Sequence, residues 1–552
     1  MAEKRSSPGQ PVNSQAGKQP ELRRDVSIWG SYMWGYSDVG ADIYAALGLV
    51  MAAAQGAANL SFALAGLVYI MIGLAYTELA SAYPVAGGGQ YFTLRGLGDF
   101  WGYITGVALL LDYTIDIALF SVACTGYVNF FFPAVFGQTA ASFLVTLGPL
   151  KDINWVWCLE SVVVIVVLLA LNLRGIRESS LLNEVIGVVG ILAESGIVIM
   201  GFLFAWQPEL LALQWKTQFP TLTQFMYSSS LAIISFVGLE SISQAAQETR
   251  RPATVIPRTS VTLIFTVFIF SVAFSTLGLG MPLDPAHPGE SWKILGAAQG
   301  ESVAILAKAI PYIGIIAGPL AAVLGAVLLF ISANSGIMSA SRLTYSMSQF
   351  RLLPRWFDKV DSKFHTPVRT IVVFTLIGLV QTVLAFLSGV DPKNGQPRAL
   401  EILGNMYAFG ATLGYLLVFI SIIKLRFSDP YTPRPYRMPL NIPVRYRGRT
   451  VDVPIMGFIG ALGVSSIFFT VIWTHAIGRI AGPLWVLLWL GLFIWFRRYR
   501  KLPVLKSLPR DWEQEQIAVL TSAEEFDLLE QYKQALLERN RQRAKERELG
   551  KK

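Results

Sequence analysis

Ser37-Asp38-Val39-Gly40-Ala41-Asp42 and Ser235-Phe236-Val237-Gly238-Leu239-Glu240 each place Val-Gly-X-acid inside an otherwise apolar run. Glycine weakens a helix and an acid at membrane depth is expensive, so two matched breaks mark an inverted repeat with a binding site between its halves. The breaks lie five apolar spans apart, which gives five spans per half and leaves two more at the end.

The rest of the chain agrees with a life in lipid. Of 552 residues, 53% are hydrophobic and only 15% charged, and the mean hydropathy is +0.50. That is too little charge to cover a soluble surface. Val261–Leu283 and Ile371–Val390 are free of charge and long enough to span as helices, so an all-α bundle rather than a barrel is expected. Twelve spans are read at about 28–52, 60–82, 98–133, 155–173, 183–206, 222–247, 259–283, 310–341, 370–390, 401–425, 453–476 and 480–496.

The net charge of +9 does not imply nucleic acid, because the basic residues sit in short loops and in the tails. If both tails and every second loop are cytosolic, all but seven of the 45 Lys and Arg lie inside, the exceptions being Lys151, Lys216, Lys293, Lys308, Lys393, Arg398 and Arg479. This is the asymmetry of the positive-inside rule, and it predicts an inner-membrane protein with two cytosolic termini. The first 25 or so residues lack an apolar core, so no cleaved signal peptide is expected. The domain reading is a tail over 1–27, a first repeat over 28–206, a second over 207–426, a loop with two further spans over 427–496, and a charged tail over 497–552. In that last tail Ser522-Ala-Glu-Glu525 reads as a capping box opening one solvated amphipathic helix with Phe526, Leu529, Tyr532 and Leu536 on one face.

Cys124 and Cys158 fall in apolar segments and read as packing residues, and the three histidines show no metal spacing. No nucleophile elbow or phosphate loop is present, so neither an enzyme nor a cofactor is expected. Asp38, Asp42, Asp112, Asp116, Glu194 and Glu240 all fall within spans, with no Lys or Arg well inside a span to pair with them. Such an excess of acid calls for a bound cation, protons, or both. Asp116 follows Asp112 on the same helical face, and a contact for a substrate cation, which the resemblance described below implies, stands there against a capped core acid. For Asp112 a structural role weighs as much as a functional one, and nothing in the sequence fixes the oligomeric state.

Glu78-Leu-Ala-Ser-Ala-Tyr-Pro84-Val-Ala-Gly87-Gly88-Gly89-Gln-Tyr91 resembles the signature of permeases of the amino acid–polyamine–organocation superfamily. Four more stretches agree: Phe236 to Glu240 with Glu248-Thr-Arg-Arg-Pro252 and Pro257-Arg258; Ser332-Ala-Asn334 with Ser341-Arg342, Tyr345 and Leu353-Pro354; Thr366-Pro367-Val-Arg369; and Pro433-Arg-Pro-Tyr-Arg437-Met-Pro439. The resemblance covers about residues 27 to 496. It implies a LeuT-like five-plus-five inverted repeat, alternating access in a lipid bilayer, and a small-molecule site at Asp38, Gly40, Ala41, Asp42, Asp116, Phe236, Val237, Gly238 and Glu240. Glu240 resembles the family's sixth-helix acid, which implies a role in tying spans together and relaying the conformational change.

The departures are as informative. Relatives carry Gly-Ser-Gly-Ile-Phe at the first break, where free amides hold a substrate carboxylate; here Gly40-Ala41-Asp42-Ile43-Tyr44 puts an acid in place of the second glycine. Asp42 would repel a carboxylate and could satisfy those amides itself. The lysine of proton-coupled relatives aligns near Gly190 or Ile191, with Glu194 the nearest ionisable group, and the aromatic gate of arginine exchangers aligns with Ile234. The expectation is a secondary transporter of amino acids or related cationic amines and polyamines, with coupling to protons or a monovalent cation. The alternative is potassium uptake, since Asp38 resembles an acid in the superfamily's potassium importers.

Overall fold

The computed structural model describes residues 28–85, 87–132, 144–147, 150–174, 180–238, 240–244, 246, 249, 251–361, 366–390, 397–446 and 449–549. The N-terminal tail, Leu239 of the second break, Glu248 and Arg250 of the motif after it, and His365 lie outside these residues.

The first apolar stretch is three helices: α1 (Ile28–Val39), α2 (Asp42–Ala54) and α3 (Ala58–Ala82). The short α4 (Gly88–Leu97) and the long α5 (Asp99–Asn129) follow, then a hairpin of β1 (Leu144–Leu147) and β2 (Leu150–Asn154). Asn154 ends that hairpin and caps α6 (Trp155–Leu173) by accepting from Trp157 N at 3.1 Å. Next come α7 (Ser180–Phe204), α8 (Pro208–Thr217) and α9 (Leu222–Leu231), the last opened by a capping box between Thr221 and Gln224. After the short α10 (Glu240–Gln244), α11 (Pro252–Gly280) begins with proline in its first turn, where a missing N–H costs nothing.

Two short helices, α12 (Ser291–Ala297) and α13 (Ser302–Lys308), precede α14 (Gly314–Gln349), α15 (Val368–Phe386) and α16 (Ala399–Ser428). A second hairpin, β3 (Asn441–Tyr446) with β4 (Arg449–Pro454), leads into α17 (Ile455–Thr474) and α18 (Gly478–Tyr499). Among the described residues, ten helical stretches are long and apolar enough to cross a bilayer, the first being the 55-residue run Ile28–Ala82 that holds α1 to α3. The chain is a polytopic, helical membrane protein.

The bundle is built around α5, whose most apolar stretch is wholly buried against α14 and α16. Lipid tails are as apolar as leucine, so helices in a membrane associate by close packing and small residues. Gly336 of α14 shows the point: a methyl group there would meet Asp116 Cβ and Tyr113 O of α5 at 2.8 Å. By contrast α6, α7, α17 and α18 leave large apolar side chains such as Leu159, Leu192, Trp473 and Leu487 exposed to lipid. Cys124 and Cys158 are buried and free, as expected of packing residues.

The C-terminal segment departs from expectation. It forms two helices, α19 (Trp512–Ser522) and α20 (Phe526–Leu549), and the capping box is not made. Ser522 ends α19 and donates back to Val519 O at 2.9 Å, while the Glu525 carboxylate accepts from Ala253 N of α11 at 3.0 Å. Asp511 supplies the real cap of α19, accepting from Glu513 N and Gln514 N. One face of the segment is not solvated: Gln516, Leu520, Glu525 and Tyr532 are buried, so the pair lies on one face of the bundle, the tail face, with much of α20 exposed. A capping pattern reports only local options, and a free helix N-terminus elsewhere competed for the same carboxylate.

Candidate functional site

Both sequence breaks are real, and each resumes as a helix whose first residue is its acid. In the first, α1 runs through Ser37, Asp38 and Val39, so only Gly40 and Ala41 interrupt it before α2 starts at Asp42. Gly40 N still bonds Tyr36 O at 2.8 Å. In the second, the chain tightens to a 3-10 turn over Ala232–Phe236 and becomes extended at Val237. It then passes Gly238 at φ 115°, a left-handed conformation that a side chain would resist, and resumes as α10 at Glu240. The breaks touch, because a methyl group on Gly238 would lie 3.0 Å from Val39 Cγ2 and 3.3 Å from Asp38 Oδ2.

Around this contact the acids converge. Asp38, Asp42, Asp112, Asp116 and Glu240 are all buried and within electrostatic reach of one another. Ser335 Oγ donates to Asp38 Oδ2 at 2.9 Å and Ser332 Oγ to Asp38 O at 2.6 Å, so α14 holds the end of α1. Glu240 Oε2 accepts from Gly238 N at 3.2 Å and from Tyr415 Oη of α16 at 3.0 Å. Asp112 lies beside Glu240, and the Tyr407 hydroxyl of α16 lies beside Asp116.

Asp42 corrects one expectation. Neither of its carboxyl oxygens has a hydrogen-bond partner among the described residues, so it does not satisfy the amides of the break itself. Its position explains this: capping needs the residue before the first helical one, and that residue is Ala41. The Phe236 ring stacks on Tyr69 of α3 with centroids 5.1 Å apart. Glu194 of α7, set apart from the other acids, takes a 2.6 Å bond from Tyr36 Oη.

Among the described residues no ion pair reaches Asp42, Asp112, Asp116, Glu194 or Glu240. The buried cations sit at the tail face instead, Arg426 and Arg434 on Glu78 at 2.6 and 3.4 Å and Arg497 and Arg510 on Asp99 at 2.5 Å each. An ionised carboxylate at mid-membrane costs roughly 2.5–3.5 kcal/mol, so uncompensated acids here are arranged for protons or for a cation from outside. No group of His, Cys, Asp and Glu among the described residues has the geometry to hold a metal ion. Sequence reading missed Tyr36, Tyr407, Tyr415, Ser332 and Ser335 as partners of these acids, since a tyrosine or serine inside a span carries no pattern that separates bonding from packing.

The two breaks lie inside a bundle of spanning helices, and sequence comparison identifies the class of protein as a membrane transporter. The profile described as amino acid permease matches residues 27–495, and the chain belongs to that family. It is 24% identical to Branched-chain amino acid permease BcaP of Bacillus subtilis (strain 168), over 77% of this chain and 86% of that one. It is 25% identical to the Methylthioribose transporter of the same organism, over 80% and 89%. With Cationic amino acid transporter 4 of Mus musculus it shares 25% identity over 76% of this chain and 62% of that one.

Proposed function

We propose that the protein is a secondary transporter of cationic organic amines, polyamines or cationic amino acids, working by alternating access across the cytoplasmic membrane. The observation that carries this reading is the set of buried acids around the two breaks, with neither Asp42 carboxyl oxygen hydrogen-bonded and no ion pair reaching it among the described residues. An ammonium group placed there meets Asp42 and Asp116 and gains the charge compensation the protein itself does not provide. The same carboxyls give the empty site a place for protons, which supports proton-coupled return as well as exchange.

Twelve crossings follow if Ile28–Ala82 counts as two and the broken stretch over α9 and α10 as one. Residues 28–206 and 207–426 are then the two repeats, and the lysine and arginine asymmetry supports two cytosolic tails. Asp38, Gly40, Ala41, Asp42, Asp116, Val237, Gly238 and Glu240 form the site in this reading, and Phe236, at the end of the 3-10 turn, backs it by packing on Tyr69 of α3. The relatives are named for organic solutes, one of them for cationic amino acids, so the potassium reading is not carried forward.

Uptake of labelled putrescine, arginine and rubidium into proteoliposomes tests the assignment. The two organic cations should accumulate and rubidium should not; the reverse result contradicts it. A thermal-shift screen across amines and amino acids narrows the substrate, since a ligand of the folded state raises apparent stability.

A further inference from the structure

The C-terminal helices grip both halves of the bundle at once. At one end, Tyr91 Oη of α4 donates to Glu515 Oε1 at 2.9 Å, Gln516 Nε2 donates to Ala82 O at the end of α3 at 2.9 Å, and Arg95 Nη1 donates to Gln516 Oε1 at 3.1 Å. The Trp512 ring meets the Tyr91 ring edge-on with centroids 6.2 Å apart. Arg95 is itself fixed by Asp429, at the end of α16, at 2.8 Å. At the other end, the Glu525 carboxylate takes the Ala253 N–H in the first turn of α11, supplying from far along the chain the anion that a helix N-terminus lacks. Arg251 and Asp527 add an exposed pair at 3.6 Å.

The two ends hold differently. The α19 end holds by several side-chain bonds and a ring contact, whereas the Glu525 end holds by one buried carboxylate on the backbone N–H groups of Ala253 and Thr254 and by a solvent-exposed pair. α11 follows α10, the half-helix after the second break, so Ala253 lies on the segment leading away from the site. α3 and α4 belong to the other half.

We propose that α19 and α20 form a strap that holds the tail-side gate shut and lets go at Glu525 when the site opens to that face. This rests on the alternating-access reading. The site is closed in the strapped state, as the burial of Asp42, Asp112 and Asp116 requires.

The test reads gate opening directly rather than transport. In a background with Cys124→Ala and Cys158→Ala, Ser243→Cys on α10 reports access from the tail face to an impermeant thiol reagent in membrane vesicles exposing that face. Ser243 is buried in the strapped state. Glu525→Gln should speed its labelling by about tenfold, the shift expected from weakening one charge-assisted bond. A chain ending at Ser522, which keeps α19, should do the same. If either change lowers the melting temperature while labelling stays at the parent rate, the tail only stabilises the fold and the strap is overturned. Labelling is read without substrate, so it stands whether or not amines prove to be transported.

Discussion

Tyr415 Oη donates to the same Glu240 oxygen that accepts the Gly238 amide, at 3.0 and 3.2 Å. One carboxylate therefore closes the amide that the second break frees and pins the break to α16. Tyr415→Phe keeps the ring and removes the bond, worth about 1.5–3 kcal/mol to a charged acceptor. We expect slower uptake at saturating substrate with little change in folded yield, measured as initial rates in proteoliposomes alongside a melting curve. Unchanged rates would reduce the bond to packing.

Asp116→Asn keeps the shape against Gly336 and removes the charge. The expected result is roughly ten- to hundredfold weaker binding of a cationic substrate, as for loss of about 1.5–3 kcal/mol. Folded yield should fall far less. Affinity equal to wild type would assign Asp116 to structure.

The orientation is open to a separate check. Cysteines placed at Arg258 or Arg445 should escape impermeant thiol reagents on intact cells, while one at Asp391 should be labelled, if the lysine- and arginine-rich loops face the cytosol as the positive-inside rule predicts. Asp391 lies outside the described residues, so this rests on charge alone. The opposite pattern would overturn the count of crossings.

The two breaks were legible because Gly40 and Gly238 interrupt apolar runs beside an acid, and both weaken a helix where little else could. The wiring was not. Tyr36 on Glu194, Tyr407 beside Asp116 and Ser335 on Asp38 join residues far apart in sequence, and nothing local marks a span tyrosine or serine as a partner. The first break also proved shorter than its sequence, since Ser37 and Asp38 complete a helical turn whose bonds survive up to Gly40 N. The tail misled in another way: its apolar face was visible in Leu529 and Tyr532, but periodicity says that a face is covered, not by what. Glu525 looked local because it sits three residues after Ser522, the spacing of a cap.

In the proposed site an acid at the first break should favour amines over their amino acid counterparts, and Asp42, buried at the head of α2 with no hydrogen-bond partner among the described residues, is the acid that would do so. A substrate carboxylate entering there would meet that charge, whereas a second ammonium would be drawn to it. Competition against labelled putrescine by ornithine and by unlabelled putrescine, in wild type and in Asp42→Gly, measures this directly. Wild type should favour putrescine, and the glycine variant, which gives the break the residue that the family resemblance implies there, should shift toward ornithine. Wild type that already prefers ornithine to its decarboxylated counterpart would contradict the account.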